Sequence, residues 1–533
     1  LFRDCISLTS LTIPDTVLRI ERLCFEGCTN LTELTIPEGV TEIGEYAFSD
    51  CDALTEITLP DKVIRAGQYL FAHSDNLQRV KLSDAMRAVQ SYTFYACPKL
   101  TSVTLPGEAT RIEPFAFAYC SSLEEITLPD KTTSLQDHVF EGCTSLRTVR
   151  LPQGFTYLGQ NAFWGCSSLS EIDLPDTLTY IGFGAFRRSG LQEIVLPEGV
   201  SLESYVFENC TALTSVTLPA KATALPDTLF IGCSALQKIS IPEGVTVIET
   251  EMFKNCTALQ EIHLPAKLSQ IGPRAFENCA ALTKIDLPDT LTTIGEMAFS
   301  GCASLTSFTV PAATASIGNA PFAGCTALAS LQVAEGNTVY HSRQNCIIRT
   351  GRKTMIAGCN SSVIPTDGSV TTIGQYALFG MDGLSTIHIP LAVTEIGNYA
   401  LSGCDGLTAL TVETGHPRYR MQNGCLMTVG GTLLAGTPHS VIPTDGSLNV
   451  TMIADGAFRG LSTLTSIHLP DSIRSIGREA FRDCTGLRRI VIPDGITKLP
   501  ASVFEGCGAL TSVTLPDTLT KVEEFAFRNC TAL

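Results

Sequence analysis

The residues of this 533-residue chain best equipped for chemistry are its twenty-one cysteines and eight histidines. The cysteines are periodic. Cys5, Cys28 and Cys51 are 23 residues apart, as are Cys97, Cys120, Cys143 and Cys166. A run of six extends from Cys210 to Cys325, and Cys484, Cys507 and Cys530 close the series. Structural zinc sites are built on close pairs such as C-x2-C, and no C-x2-C occurs. A fixed step instead stacks the thiols in a column, about 4.8 Å apart if each repeat adds one strand. That spacing would permit disulfides. The run lengths oppose them: two runs are odd, Cys404 stands alone, and Ser74 and Ser189 replace single members without removing a neighbour. Buried free thiols acting as small hydrophobes are expected. Cys24, Cys346, Cys359 and Cys425 lie outside the column, and a disulfide involving the last three stays open. No histidine belongs to an H-E-x-x-H pairing, and no G-x-S-x-G, Walker-type or dinucleotide-binding glycine motif occurs. Carboxylates such as Glu124 and Glu125 fall in variable, solvated positions. The reading is of a non-enzyme with no catalytic residue, no metal and no cofactor.

The elements that position these residues follow from the repeat itself. Leu31-Thr-Glu-Leu-Thr-Ile-Pro-Glu-Gly-Val40, Leu54-Thr-Glu-Ile-Thr-Leu-Pro-Asp-Lys-Val63 and Leu282-Thr-Lys-Ile-Asp-Leu-Pro-Asp-Thr-Leu291 are versions of one sentence. Its full form is L-x-x-Φ-x-L-P-x-x-Φ-x-x-I-x-x-x-A-F-x-x-C-x-x, where Φ is aliphatic. Twenty such units open between Leu8 and Leu510, mostly 23 residues apart; two steps are 22, and two jump to 56 and 57. Alternating aliphatics in L-x-x-Φ-x-L predict a short strand with one inward face. The proline that follows cannot donate to a ladder and presets φ for a turn. A second aliphatic pair, such as Val40 and Ile43, predicts a return leg. Phe48, Phe71, Phe94 and their equivalents should fill the interior from a short helical turn; Leu378 and Leu401 are the exceptions. One coil cannot bury its own apolar face, so stacked coils share a continuous core.

The pattern resembles the BspA-like, or Treponema pallidum-type, class of bacterial leucine-rich repeats, over nearly the whole chain. The resemblance implies a leucine-rich-repeat solenoid, α/β in class but β-rich. It implies a right-handed arc with a parallel sheet on the concave side, and short return strands and short helical turns elsewhere. It further implies a secreted or cell-surface bacterial protein used in adhesion, with a host or bacterial surface protein or glycan as partner.

Composition narrows the alternatives. An apolar fraction of 44% with only 17% charged residues excludes a disordered chain. The net charge of −17 repels phosphate backbones, so no nucleic-acid partner is expected. No apolar run reaches the roughly 18 residues of a membrane span. The first residues read as the second half of a repeat and the last as the opening of another. A piece of a longer chain is therefore expected, monomeric, whose missing targeting signals say nothing about location.

Two coils are interrupted. The proline slot is lost at Ala334 and at Glu413, and about 33 extra residues follow each time. Gln344-Asn-Cys-Ile-Ile348 parallels Asn423-Gly-Cys-Leu-Met427, and both inserts end in Val-Ile-Pro-Thr-Asp-Gly-Ser, at 363–369 and 441–447. Asn423-Gly424 between apolar stretches signals a hairpin. The expected organisation is regular coils over 1–333, a hairpin insert over 334–369, coils over 370–412, a second hairpin insert over 413–447 and coils over 448–533, one continuous solenoid. Tyr340, Arg343 and Arg352 in the first insert, and Arg418, Tyr419 and Arg420 in the second, are candidate contact residues, since Tyr and Arg are favoured in binding hot spots. In the plainer alternative the tyrosines pack the hairpins onto the coils and the arginines are only solvated. On the strand face, a row dominated by threonine, the candidates are Lys81 and Arg150. Two functions fit: a non-catalytic scaffold that binds protein or glycan, and a passive spacer that projects another domain.

Overall fold

The structure is a computed structural model that describes residues 2–444 and 449–533. The chain divides into two compact units, Leu1–Lys267 and Leu268–Leu533. Each is a parallel-strand β-solenoid of the leucine-rich-repeat type.

In the first unit a coil contributes two short strands. Glu56–Thr58 pairs in parallel with Arg79–Lys81, and that strand with Ser102–Thr104, each residue facing its counterpart 23 positions on. The inward Ile57 and Val80 are buried while Thr58 faces solvent. The return leg supplies two-residue strands. Six of them, from Ala88–Val89 to Ser201–Leu202, form one parallel ladder. The second unit repeats the scheme, with Ser307–Val310 beside Ser330–Val333 and Thr386–Ile389 beside Ala409–Val412. Three of the twenty expected strands are incomplete. The coils opening at Leu169 and Leu282 carry a return strand but not this one, and the coil at Leu464 makes a single bridge from Ser466 to Arg489. The first two have Asp173 and Asp286 in the outward slot, where no other coil has aspartate. Aspartate is among the poorest strand formers.

The phenylalanines stack in a buried column. Phe48, Phe71, Phe94 and Phe117 follow one another at centroid separations of 5.0–5.7 Å, and Phe458, Phe481 and Phe504 at 5.1 and 5.5 Å. Leu378 and Leu401 are buried in the same slot. The expected helical turns are not what carries this column. These segments are non-helical turns, and among the described residues the one helix is the 3-10 turn Thr350–Arg352. The reason lies in the backbone bonds. Phe48 N–H donates to Leu70 O at 3.0 Å, Phe71 N–H to Thr93 O at 2.9 Å and Phe94 N–H to Ala116 O at 2.8 Å. Donors that an α-helix would aim four residues back are aimed at the next coil. Residues two before and two after each core phenylalanine, such as Tyr46 and Asp50 at φ 56° and 57°, are left-handed and break any helical run.

Both inserts are three-stranded. Tyr340–Arg343 and Cys346–Arg349 form an antiparallel hairpin, and its Gln344-Asn345 turn has φ of 48° and 58°, the signature of a type I′ turn. Tyr419–Gln422 and Cys425–Thr428 do the same around Asn423-Gly424. A third strand follows each time, Thr354–Ala357 and Thr432–Ala435. It pairs antiparallel with the hairpin and parallel with the return strands Thr372–Ile373 and Met452–Ile453. Each insert thus replaces one return strand with a meander that enters the ladder. The turn ladder closes across the gap, through Gly324 N–H to Gly380 O at 2.9 Å and Gly403 N–H to Arg459 O at 2.7 Å. In the closing Val-Ile-Pro-Thr-Asp-Gly-Ser of the second insert, Asp445, Gly446 and Ser447 lie outside the described residues. Among the described residues no helix is long and apolar enough to cross a membrane.

Candidate interaction surfaces

The reactive side chains are engaged in holding coil to coil. All twenty-one cysteines, each among the described residues, are free thiols, and all but Cys5, Cys24 and Cys530 are buried. Most column thiols donate to the carbonyl of the phenylalanine 26 residues earlier: Cys97 Sγ to Phe71 O, Cys120 to Phe94 and Cys143 to Phe117, all at 3.1 Å, and Cys484 to Phe458 at 3.0 Å; Cys210 reaches Phe186 O, 24 residues back, and Cys404 reaches Leu378 O. The expected small hydrophobe is therefore also a hydrogen-bond donor. Ser74, in a cysteine slot, does the same work, donating to Phe48 O at 3.2 Å. Burial pushes the thiols of Cys97 and Cys143 up to about 12. They are protonated and unreactive at neutral pH.

Threonines act likewise. Thr32, Thr101 and Thr511 donate through Oγ1 to the carbonyl of the residue 23 positions back, at 3.0–3.1 Å. Thr133, Thr156 and Thr179 make the same bond on the return leg, at 3.0–3.4 Å. Part of the threonine content is thus a ladder of side-chain bonds.

Among the described residues no His/Cys/Asp/Glu group could hold a metal ion. His416 is buried; its Nε2 lies 3.1 Å from Val393 O, and its Nδ1 accepts from the backbone N–H groups of Arg418 and Tyr419 at 3.1 Å. His388 Nδ1 is 3.0 Å from Thr411 Oγ1, and His263 lies 3.5 Å from Glu243. The arrangement nearest to acid-base chemistry is one the sequence did not signal. The buried Glu141 carboxylate receives Tyr119 Oη on one oxygen and His138 Nδ1 on the other. The Glu141 bond, followed by burial, pushes the Tyr119 phenol up to about 12. All three residues are committed to one another, with no nucleophile in the group.

The candidate contact residues divide sharply. Tyr340 and Tyr419 are 2% and 5% exposed, which removes them from any contact surface. Both end on the edge of a return strand. Tyr340 Oη accepts from Ile317 N–H at 3.2 Å, and Tyr419 Oη donates to Thr394 O at 3.3 Å. Arg418 Nη1 donates to the same Thr394 O at 2.5 Å, and Arg420 is held on the carbonyls of His416 and Tyr419. Arg349 lies over the Tyr340 ring at 5.8 Å. Three of the six hairpin candidates, Tyr340, Arg418 and Tyr419, thus bond their inserts to a neighbouring coil, while Arg420 bonds within its own insert. Arg343 and Arg352 face solvent, Arg343 in an ion pair with Asp367 at 2.7 Å.

On the strand face of the first unit, Lys81 pairs with Asp61 at 3.2 Å and Arg79 with Glu56 at 2.6 Å. Lys81, Arg79 and Glu56 line a shallow groove of about 890 Å³ floored by Thr35, Thr58 and Thr104. Arg150 is exposed three coils further on, about 14 Å away by strand spacing, so the two cations do not form one cluster. Val195 in the same outward row is 66% exposed.

The chain matches the BspA type leucine rich repeat region in six copies, over residues 1–124, 110–237, 223–347, 352–422 and 447–533. It belongs to the BspA-type leucine-rich-repeat family. Among solved structures it is similar to a leucine-rich repeat protein from Bacteroides ovatus, at 28% identity and TM-score 0.51, over 63% of this chain and 81% of that one. A T. pallidum leucine-rich repeat protein is 26% identical, with TM-score 0.26, over 38% of this chain and 82% of that one. A leucine rich cell surface protein from Faecalibacterium prausnitzii is 22% identical, with TM-score 0.34, over 76% and 83%. No curated protein matches.

Proposed function

We propose that this BspA-type chain is a non-catalytic binding scaffold, secreted or held at a bacterial surface, that presents its strand face to a protein or glycan ligand. The observation that carries the reading is the division of labour between slots. Thiols, buried phenylalanines and many threonine hydroxyls are occupied by neighbouring coils. The slots that vary, holding Lys81, Arg150 and Val195, are the ones turned to solvent on the strands. A leucine-rich-repeat arc would make that face the concave one, and Arg343 and Arg352 on the first insert add exposed positive charge to an acidic body. Surface cations of this kind govern encounter and partner choice while contributing little to folding.

The test is retention of a surface-extract component by the immobilised chain, compared with the Lys81→Glu/Arg150→Glu and Arg343→Glu/Arg352→Glu variants. The reading expects a ligand whose retention falls at least tenfold in one variant, with unfolding midpoints unchanged. Equal retention by all three, or none by the wild type, rejects it in favour of a passive spacer.

A further inference from the structure

The slot two residues before each core phenylalanine forms a second column along the turn edge. In the first unit a run of five coils holds Tyr46, Tyr69, Tyr92, Phe115 and His138 there, left-handed at φ 56–60°, while other coils hold Leu23, Asn161, Gly184, Thr228 or Glu251. Their rings stack face to face at 4.5, 4.3, 4.8 and 4.4 Å. In the second unit the same slot holds Met297, Ala320, Tyr376, Tyr399 and Gly456, also left-handed, with Ala320 at φ 49°. Tyr376 stacks on Tyr399 at 4.9 Å and 3°. The coil on the other side of Tyr376 is that of Ala320, as the Gly324 to Gly380 backbone bond shows. A methyl group stands there where the coils of the stacked run place a ring, so one face of Tyr376 has no ring against it.

A cavity of about 330 Å³ opens at this missing rung, with Met297, Ala320, Tyr376 and Phe379 among its walls. That is the small end of the range of ligand sites and suits one ring. The polar lining decides which kind. Arg459 lies over the Phe379 ring at 4.8 Å and is ion-paired with Glu479, with Asp483 at 3.9 Å. Arg482 pairs with Glu505 at 3.3 Å and Glu479 at 3.6 Å. The guanidinium groups of Arg459 and Arg482 are already neutralised, and Arg274, the third on the walls, has Glu277 at 4.0 Å, which disfavours an anionic ligand. They are also fixed in orientation, and Glu296 and Asn319 add a carboxylate and an amide to the same walls. A purely aromatic guest would strip water from these groups and return no hydrogen bonds. A pyranose ring presents hydroxyl groups at its edge, each both donor and acceptor, and C–H bonds on its face. We propose that this cavity binds a neutral pyranose of a glycan, stacked on the open face of Tyr376 and hydrogen-bonded at its rim. The site is separate from the strand face and the inserts, so its failure leaves the scaffold reading standing.

The decisive variant is Ala320→Tyr, which supplies the missing rung. Tyrosine already occupies this slot at φ 56–60° in other coils, so the variant should fold with an unchanged or higher unfolding midpoint. Tyr376→Ala removes the platform instead. Saturation-transfer difference NMR would use the methyl glycosides of glucose, galactose, mannose, N-acetylglucosamine and fucose as probes, with N-acetylphenylalaninamide as the aromatic comparison. The proposal expects transfer to the ring C–H protons of at least one glycoside, reduced at least tenfold in both variants. No transfer to any glycoside, or transfer undiminished in Ala320→Tyr, overturns it. So does an Ala320→Tyr-sensitive signal from N-acetylphenylalaninamide alone, which would make the guest a protein side chain.

Discussion

The thiol column makes a prediction whose sign depends on what cysteine is for. Cys143 is fully buried, and its Sγ–H donates to Phe117 O, which already accepts Cys120 N–H at 3.2 Å. Cys143→Ala empties roughly the volume of a methyl group, about 1 kcal/mol in a close-packed core. It also removes a weak thiol hydrogen bond, worth about 0.5–1 kcal/mol. The expected loss is about 1.5–2 kcal/mol. Cys143→Ser keeps a donor in place, and Ser74 shows that a hydroxyl fits this slot, donating to Phe48 O and accepting Cys51 N–H at 3.3 Å. Its loss should stay below about 1 kcal/mol. If the thiol were only a small hydrophobe, the order would invert, because alanine buries no polar group and serine does. The assay is urea unfolding of both variants, with amide exchange at Gly142, whose N–H bonds the next coil at Trp164 O. Local exchange matters because a repeat protein can open near the lesion without unfolding throughout. A Cys143→Ala chain as stable as Cys143→Ser, or more so, refutes the donor role.

Two further outcomes follow from the same packing. A thiol raised to about 12, as in Cys97 and Cys143, is thiolate to about one part in ten thousand at pH 8. Ellman's reagent should therefore react quickly with only Cys5, Cys24 and Cys530 in the native chain, and with all twenty-one thiols in urea; a native fast phase well above three would mean the column is open to solvent. Tyr340→Phe keeps the buried ring but leaves Ile317 N–H without its hydroxyl partner. It should cost about 1 kcal/mol and speed exchange of the Ile317 amide, and an unaltered exchange rate would show that the hydroxyl does not secure the ladder edge.

Translation by a fixed step is what made much of this molecule readable from its residues. When Leu54, Phe48 and Cys51 recur every 23 positions, a column is the simplest object that satisfies all of them, and the strand, the core ring and the thiol follow. What stayed hidden depends on information that a single repeat does not contain. The turns looked helical because the local spacing allows a helix. The competing partner of Phe48 N–H is Leu70 O in the next coil, and only stacking reveals it. The left-handed slot was hard to see for a different reason. Glycine and asparagine usually announce such backbone, and Asn161, Gly184 and Gly456 do so here, yet most coils fill it with other residues such as Tyr46, Phe115, His138 and Met297. The inserts were readable as hairpins from Asn423-Gly424, but whether Tyr340 and Tyr419 faced outward or inward turned on where the ladder edge lay. The cavity beside Tyr376 is harder still, because its signal is an alanine next to a ring in a slot whose occupant varies from coil to coil. An insert separates Ala320 from Tyr376 by 56 residues rather than 23, so a constant period does not place them in register. In a chain whose consensus is consumed by stacking, binding specificity must come from departures of this kind. They become visible only when each slot is compared down its column rather than along the sequence.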